Sequence, residues 1–356
     1  MRHSILANHI DFEHTVGLVL DARSITQLLY MHSIIGGRFS EENTILLWKG
    51  RKSDLLLASK LIDLPKNYYI LDIDSRDKAL MFDFKTIKNI KNICKSIASN
   101  SSNAQLCTSF ASGMYFELLK SSLSVEDDDV IQFDDGLINE LIAVNRYRFF
   151  KFIIFLLHGF VCLPSKYRLF SDKRFKRIYT SINPGNIISI EDKQIVDISD
   201  HVSKNFYQIS LEHINIDNPK SAILMTTHSV ESGRMAQSEY HQLITDVYSK
   251  LQGLGVKDVY VSKHPAEKHS NDDFYNKIGL IASYQDYPSE LLVANKNITY
   301  IANPLNSTIM MSAYFKYLNE IDVVVSYYPK NSPYKDERIK MVDKILSKHS
   351  TEHYVL

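Results

Sequence analysis

The chain has 356 residues, 45% of them hydrophobic and 23% charged. That is the composition of a globular protein, and it excludes a disordered, collagenous or fibrous one. Lysine plus arginine and aspartate plus glutamate stand at 41 each, so bulk charge argues against a nucleic acid or other polyanion as partner, and any anion recognition has to be local.

In chain order, short apolar runs predict strands at 5–7, 44–48, 68–71, 105–108 and 130–133, and longer periodic segments predict helices at 22–35, 84–98 and 137–158. The polar stretch 96–105 reads as a loop or a frayed helix end. The second half alternates more regularly. A buried-strand pattern covers 222–226, and a helix follows at 236–251 with Leu243, Ile244, Val247 and Leu251 on one stripe. Gly253 and Gly255 end that helix. Strands follow at 259–261, 298–301 and 321–325, with a helix at 307–318. The alternation predicts an α/β protein with largely parallel sheets. At ~150 residues per domain two domains are expected. Turn signals and weak periodicity across 192–220 place the boundary there, giving domains 1–215 and 216–356.

The three cysteines, Cys94, Cys107 and Cys162, have no metal-binding spacing and read as buried thiols of a reducing compartment. The first residues lack a signal-peptide pattern. The most apolar stretch, 149–164, is interrupted by Lys151 and His158 and falls short of the ~20 residues that span a bilayer. The expectation is a cytoplasmic chain that can touch the inner face of a membrane without crossing it.

Polar groups cluster where strands are predicted to end, and in open α/β sheets ligands bind at the carboxyl ends of strands. Asp134-Asp135-Gly136 follows the strand at 130–133. Two adjacent carboxylates can hold one raised pKa, as a general base needs; the ordinary alternative is a solvated turn. Lys263-His264-Pro265 follows the strand at 259–261, and a histidine there can donate to a phosphate; the alternative is a surface turn. Ser307-Thr308 opens a predicted helix, where free N–H groups attract anions; the alternative is an N-cap. Glycine-rich nucleotide loops, HExxH, GxSxG and a second-half DxD pair are absent. No metal ligand set and no cofactor are expected.

The three motifs occur in the order acidic-acidic-glycine, His-Pro and paired hydroxyls, over 130–326. That order resembles the bacterial sialyltransferases, including the capsule polysialyltransferases and lipooligosaccharide sialyltransferases. The resemblance implies a GT-B architecture of two Rossmann-like domains facing a cleft, with acceptor and general base on the first domain, the CMP-sugar on the second, and a last helix able to pack back on the first. It implies an inverting, metal-independent transfer from CMP-sialic acid, a co-substrate, or from a related nonulosonic acid. Asp135 would be the base with Asp134 beside it, and Gly136 would shape the turn. His264 would hold the phosphate, flanked by Lys263 and Pro265, with Ser307 and Thr308 on its oxygens. His228, after the strand at 222–226, could line the same pocket. The alternatives are a CMP-Kdo-type transferase and a non-catalytic glycan- or membrane-binding protein of the same fold.

A local basic excess also stands out. Arg146, Arg148, Lys151, Lys166, Arg168, Lys173, Arg174, Lys176 and Arg177 face only Asp172 within 146–177, with aromatic residues interleaved. Lys166 to Arg177 reads as a contact for an anionic glycan or an acidic membrane surface. The apolar part, 149–157, reads equally as a core helix. An anionic or a galactose-terminated glycan would be the acceptor.

Overall fold

The computed structural model describes residues 5–7, 16–35, 43–71, 83–109, 113–133, 144–145, 153, 156–157, 166–167, 177–180, 194–264, 267, 271–304, 321–327 and 352–356. The chain divides into two compact units, Met1–Ile198 and Ser199–Leu356.

The described strands of the first unit are β1 (Ile5–Ala7), β2 (Val16–Ala22), β3 (Thr44–Trp48), β4 (Asn67–Leu71), β5 (Ser101–Thr108), β6 (Val130–Phe133), β7 (Val144–Asn145), β8 (Lys166–Tyr167), β9 (Arg177–Thr180) and β10 (Gln194–Asp197). The helices are α1 (Ile25–Ile35), α2 (Lys52–Leu61), α3 (Phe84–Ser99) and α4 (Gly113–Leu123). The main sheet runs β1-β4-β3-β2-β5-β6-β9-β10. Its pairings are parallel except for β1 on β4. Every residue of β3 is buried, as strands covered on both faces require. One face packs on α3 and α4, and α3 presents Ile87, Ile90, Cys94 and Ile97 as a buried stripe. Asp83 caps α3 by accepting from the Thr86 N–H at 2.9 Å.

Three sequence expectations change here. Strand β2 was not foreseen, yet it lies between β3 and β5. Gly17 and Asp21 break its apolar run, and Asp21 is tolerated inside because Lys49 pairs with it. The polar stretch 96–105 is the end of α3, one linking residue, and the start of β5, because pairing of Ser101 and Gln105 with β2 overrides a weak local preference. The helix at 137–158 is interrupted: Val144–Asn145 forms a short antiparallel pair with Lys166–Tyr167, in which Val144 faces Tyr167, a β-branched and an aromatic residue that favour strands. Ile153, Leu156 and Leu157 are helical and exposed rather than core.

The second unit has α5 (Ser199–His213), β11 (Ser221–Met225), α6 (Gln237–Gly253), β12 (Asp258–Ser262), α7 (Asp272–Ile278), α8 (Ser289–Val293), β13 (Ile298–Pro304), β14 (Val323–Tyr327) and β15 (Glu352–Val355). Its sheet runs β12-β11-β13-β14-β15, parallel throughout. Helix α6 buries Tyr240, Ile244, Val247 and Leu251 against it, with Leu243 only partly buried. Gly255 follows with φ of 84°, a left-handed conformation that glycine adopts without strain. The unit begins at Ser199 rather than at residue 216, because α5 packs on α8. The following segment is tied to the same unit: Asn295 Nδ2 donates to Ile214 O at 3.1 Å, and the Asn215 N–H donates to the Tyr284 hydroxyl at 2.9 Å.

Candidate functional site

Strands β11 and β12 are adjacent and parallel, with Met225 opposite Ser262. Their carboxyl ends therefore emerge side by side, and each carries a histidine shortly beyond. The His228 and His264 rings lie 4.4 Å apart between centroids, tilted by 32°. The turn after β11 is held by Ser229 N–H donating to Thr227 Oγ1 at 3.0 Å and Ser232 N–H donating to His228 O at 3.0 Å. On the β12 side, His264 N–H donates to Thr226 Oγ1 at 2.9 Å, which ties the two strand ends together.

Two imidazoles this close cannot both carry a proton at low cost. Burial, then the neighbouring His228, pushes the His264 pKa down to about 4, with Glu231 acting the other way. At neutral pH His264 is an uncharged imidazole in a half-buried place. An anion set between the rings would reverse that balance, because each proton would then face a negative charge. A second strand-end feature is missing from this centre: the Lys263 ammonium, 7% exposed, is paired with Asp272 at the start of α7. Lys263 therefore braces the loop rather than reaching outward.

Behind the histidines lies a buried polar network that sequence reasoning missed. The Glu267 carboxylate accepts from the Thr226 hydroxyl, the Tyr275 hydroxyl and, at 2.9 Å, Asn271 Nδ2. Burial raises its pKa, and these hydrogen bonds and the Lys263 charge oppose the rise. The Tyr240 and Tyr275 hydroxyls lie 3.1 Å apart, and burial lifts both pKa values, so both stay protonated. A signal was available: Glu267 stands three residues after His264, and Tyr240 extends the α6 stripe by one turn.

The other sequence candidates are placed less fully. Asp134, Asp135 and Gly136 lie outside the described residues, directly after β6. Ser307 and Thr308 lie outside them too, following β13, the neighbour of β11 on the side away from β12. Pro265, Arg168, Lys173, Arg174 and Lys176 are likewise outside, as is the segment expected to form a last helix; Lys166 and Arg177 belong to β8 and β9. Among the described residues there is no metal-binding group of His, Cys, Asp or Glu, and no helix long and apolar enough to cross a membrane.

A second buried polar cluster sits at the ends of β2, β3 and β5. The Lys49 ammonium lies 2.8 Å from an Asp21 oxygen, and Thr108 Oγ1 and the Tyr115 hydroxyl donate to Asp21 at 3.1 and 3.2 Å. Lys49 also lies over the Tyr115 ring, 4.1 Å from its centroid.

No protein-family model matches the chain, and no curated protein sequence matches it. Solved structures do. An α/β-galactoside α-2,3-sialyltransferase from Photobacterium phosphoreum superposes with a TM-score of 0.55 at 12% identity, covering 96% of this chain and 98% of that one. The fold is two Rossmann-like α/β domains in one chain, the GT-B architecture. A protein from Listeria monocytogenes, described as a UDP-N-acetylglucosamine 2-epimerase, superposes at 0.52 and 8% identity, over 94% of this chain and 89% of that one.

Proposed function

We propose that the chain is a glycosyltransferase with a nucleotide-sugar donor, and that the donor is a CMP-activated sialic acid or related nonulosonic acid. The observation that carries this reading is the pairing of His228 and His264 at adjacent strand ends of the second unit, with an uncharged His264 able to gain a proton when a phosphate arrives. A like fold in a sialyltransferase structure supports it.

In this reading the acceptor hydroxyl loses its proton to Asp135, with Asp134 beside it, as the new oxygen–carbon bond forms at the anomeric centre. The bond from that carbon to the phosphate oxygen breaks, and its electron pair leaves with CMP. His264 and His228 take up the charge that develops on the phosphate. Ser307 and Thr308 would add hydrogen bonds to it, and Gly136 and Pro265 would shape the two loops. One inverting displacement at a single-phosphate donor needs no cation in this scheme. Lys166, Arg168, Lys173, Arg174, Lys176 and Arg177 would meet an anionic acceptor, such as a growing polysialic acid, or the inner membrane face. The acceptor is a cell-surface glycan, sialylated or galactose-terminated.

The test is incubation with CMP-sialic acid and a panel of sialylated and galactose-terminated glycans in EDTA, read by mass spectrometry. Transfer is expected, and Asp135→Asn is expected to lower turnover by ~10² or more while CMP still binds. No transfer from any CMP-sugar would end the reading, and an absolute need for magnesium or manganese would end its metal-free form.

A further inference from the structure

We propose that Glu267 is a positioning residue for His264, acting through the hydroxyl of Thr226. The inference builds on the proposed role of His264 at the donor phosphate. Its ground is the direction of the hydrogen bonds. Thr226 has one hydroxyl proton, and Glu267, an acceptor on both oxygens, takes it. The Thr226 oxygen is then left as an acceptor and receives the His264 N–H at 2.9 Å. If the hydroxyl turned the other way, its proton would meet the His264 N–H head-on. Glu267 also closes the loop from its own backbone, with its N–H on His264 O at 2.8 Å.

The rest of the network runs in the same sense. Tyr275 donates to Glu267, Tyr240 can donate to Tyr275, and the Thr227 N–H donates to Tyr240 at 3.4 Å. Every proton points toward one carboxylate, which thereby joins the end of β11, the loop after β12, α6 and α7. His228 lies two residues beyond Thr226 on the same chain segment. Fixing Thr226 against the His264 backbone N–H thus fixes the main chain from which the two rings project. Replacing the carboxylate by an apolar group would strand the Thr226, Tyr275 and Asn271 donors; replacing it by an amide would put a donor where Thr226 needs an acceptor.

The test uses the full chain and NMR of the imidazole groups, with His264→Gln to assign the His264 signals. Among the described residues, the titratable groups of that region are His228 and Glu231 after β11, Lys263 before the ring, Glu267, and Asp272 at the start of α7. Glu267→Gln and Thr226→Val are each expected to displace the His264 signals and to move its titration upward by about one unit or more, toward the ordinary ~6.5. The double variant is expected to match either single one, because both break one path. Thr226→Ser, which keeps the hydroxyl, is expected to behave as the parent. CMP affinity should fall about tenfold in the two disrupted variants, the scale of one lost hydrogen bond. If Glu267→Gln does not fold, Thr226→Val against Thr226→Ser carries the test alone. Unmoved His264 signals in a folded Thr226→Val variant overturn the proposal. Displaced signals in a protein whose parent binds no CMP would uphold the positioning and overturn the donor reading instead.

Discussion

At the ends of β2 and β3, Asp21 and Lys49 neutralise each other, and Thr108 and Tyr115 fill the remaining carboxylate positions. At the ends of β11 and β12, two imidazoles of the same chemical kind face each other instead, one of them held uncharged. Both clusters occupy the carboxyl ends of parallel strands. The first is complete, with opposite charges buried together at 4% and 8% exposure. The second is only half-buried, and among the described residues the Glu231 carboxylate is the negative charge that acts on His264. Substituting the first should therefore cost stability, and substituting the second should cost ligand binding.

The largest expected effect breaks the first cluster. Asp21→Ala leaves the Lys49 ammonium buried beside Tyr115 without its counter-charge, and the loss should be about 3–5 kcal/mol in a denaturant titration. Asp21→Leu with Lys49→Met should recover most of that, because it removes both charges. A loss below about 1 kcal/mol for Asp21→Ala would show that the pair is not buried as described.

The second cluster should respond in the other coin of measurement. His264→Ala is expected to lower transfer by ~10² and to weaken CMP binding, with little change in the denaturation midpoint. A large drop in stability with intact CMP affinity would make His264 a structural residue like Asp21.

A pH experiment sharpens the contrast further. The folded-state pKa of His264 lies below its unfolded value, so between about 6.5 and about 4 the unfolded chain binds more protons at this residue. Its contribution is full above that window and is lost as pH falls through it. Glu267 has the opposite sign: its pKa is raised, so stability from it is lost as pH rises through the folded value. His264→Gln should flatten the acid limb of the stability profile above pH 4. CMP binding by the parent chain should take up a proton near pH 6, seen by calorimetry in buffers of different ionisation enthalpy. Binding with no proton uptake would remove the imidazole pair from the phosphate.

The smallest effect concerns the basic tract. Neutralising Arg174, Lys176 and Arg177 together should raise the acceptor KM more than the donor KM and flatten its salt dependence, since long-range attraction is what salt screens. Unchanged acceptor kinetics would remove the tract from acceptor recognition.

The amino-acid pattern alone determined the parallel α/β class, most strands of the second unit, and helices α1, α3 and α6, because continuous apolar runs and 3.6-residue stripes are local properties. It also singled out His264 and His228 from their places after apolar runs. It could not find β2, whose buried Asp21 makes sense only beside Lys49, 28 positions further on. Nor could it find that β5 begins in a polar stretch, since pairing with β2 decides that. The 4.4 Å approach of the two histidines and the turning of Thr226, Tyr275 and Asn271 onto Glu267 follow from strand order and helix packing. Those are contacts between distant segments, and burial that strips water from a polar group becomes affordable only once its partners arrive from elsewhere in the chain.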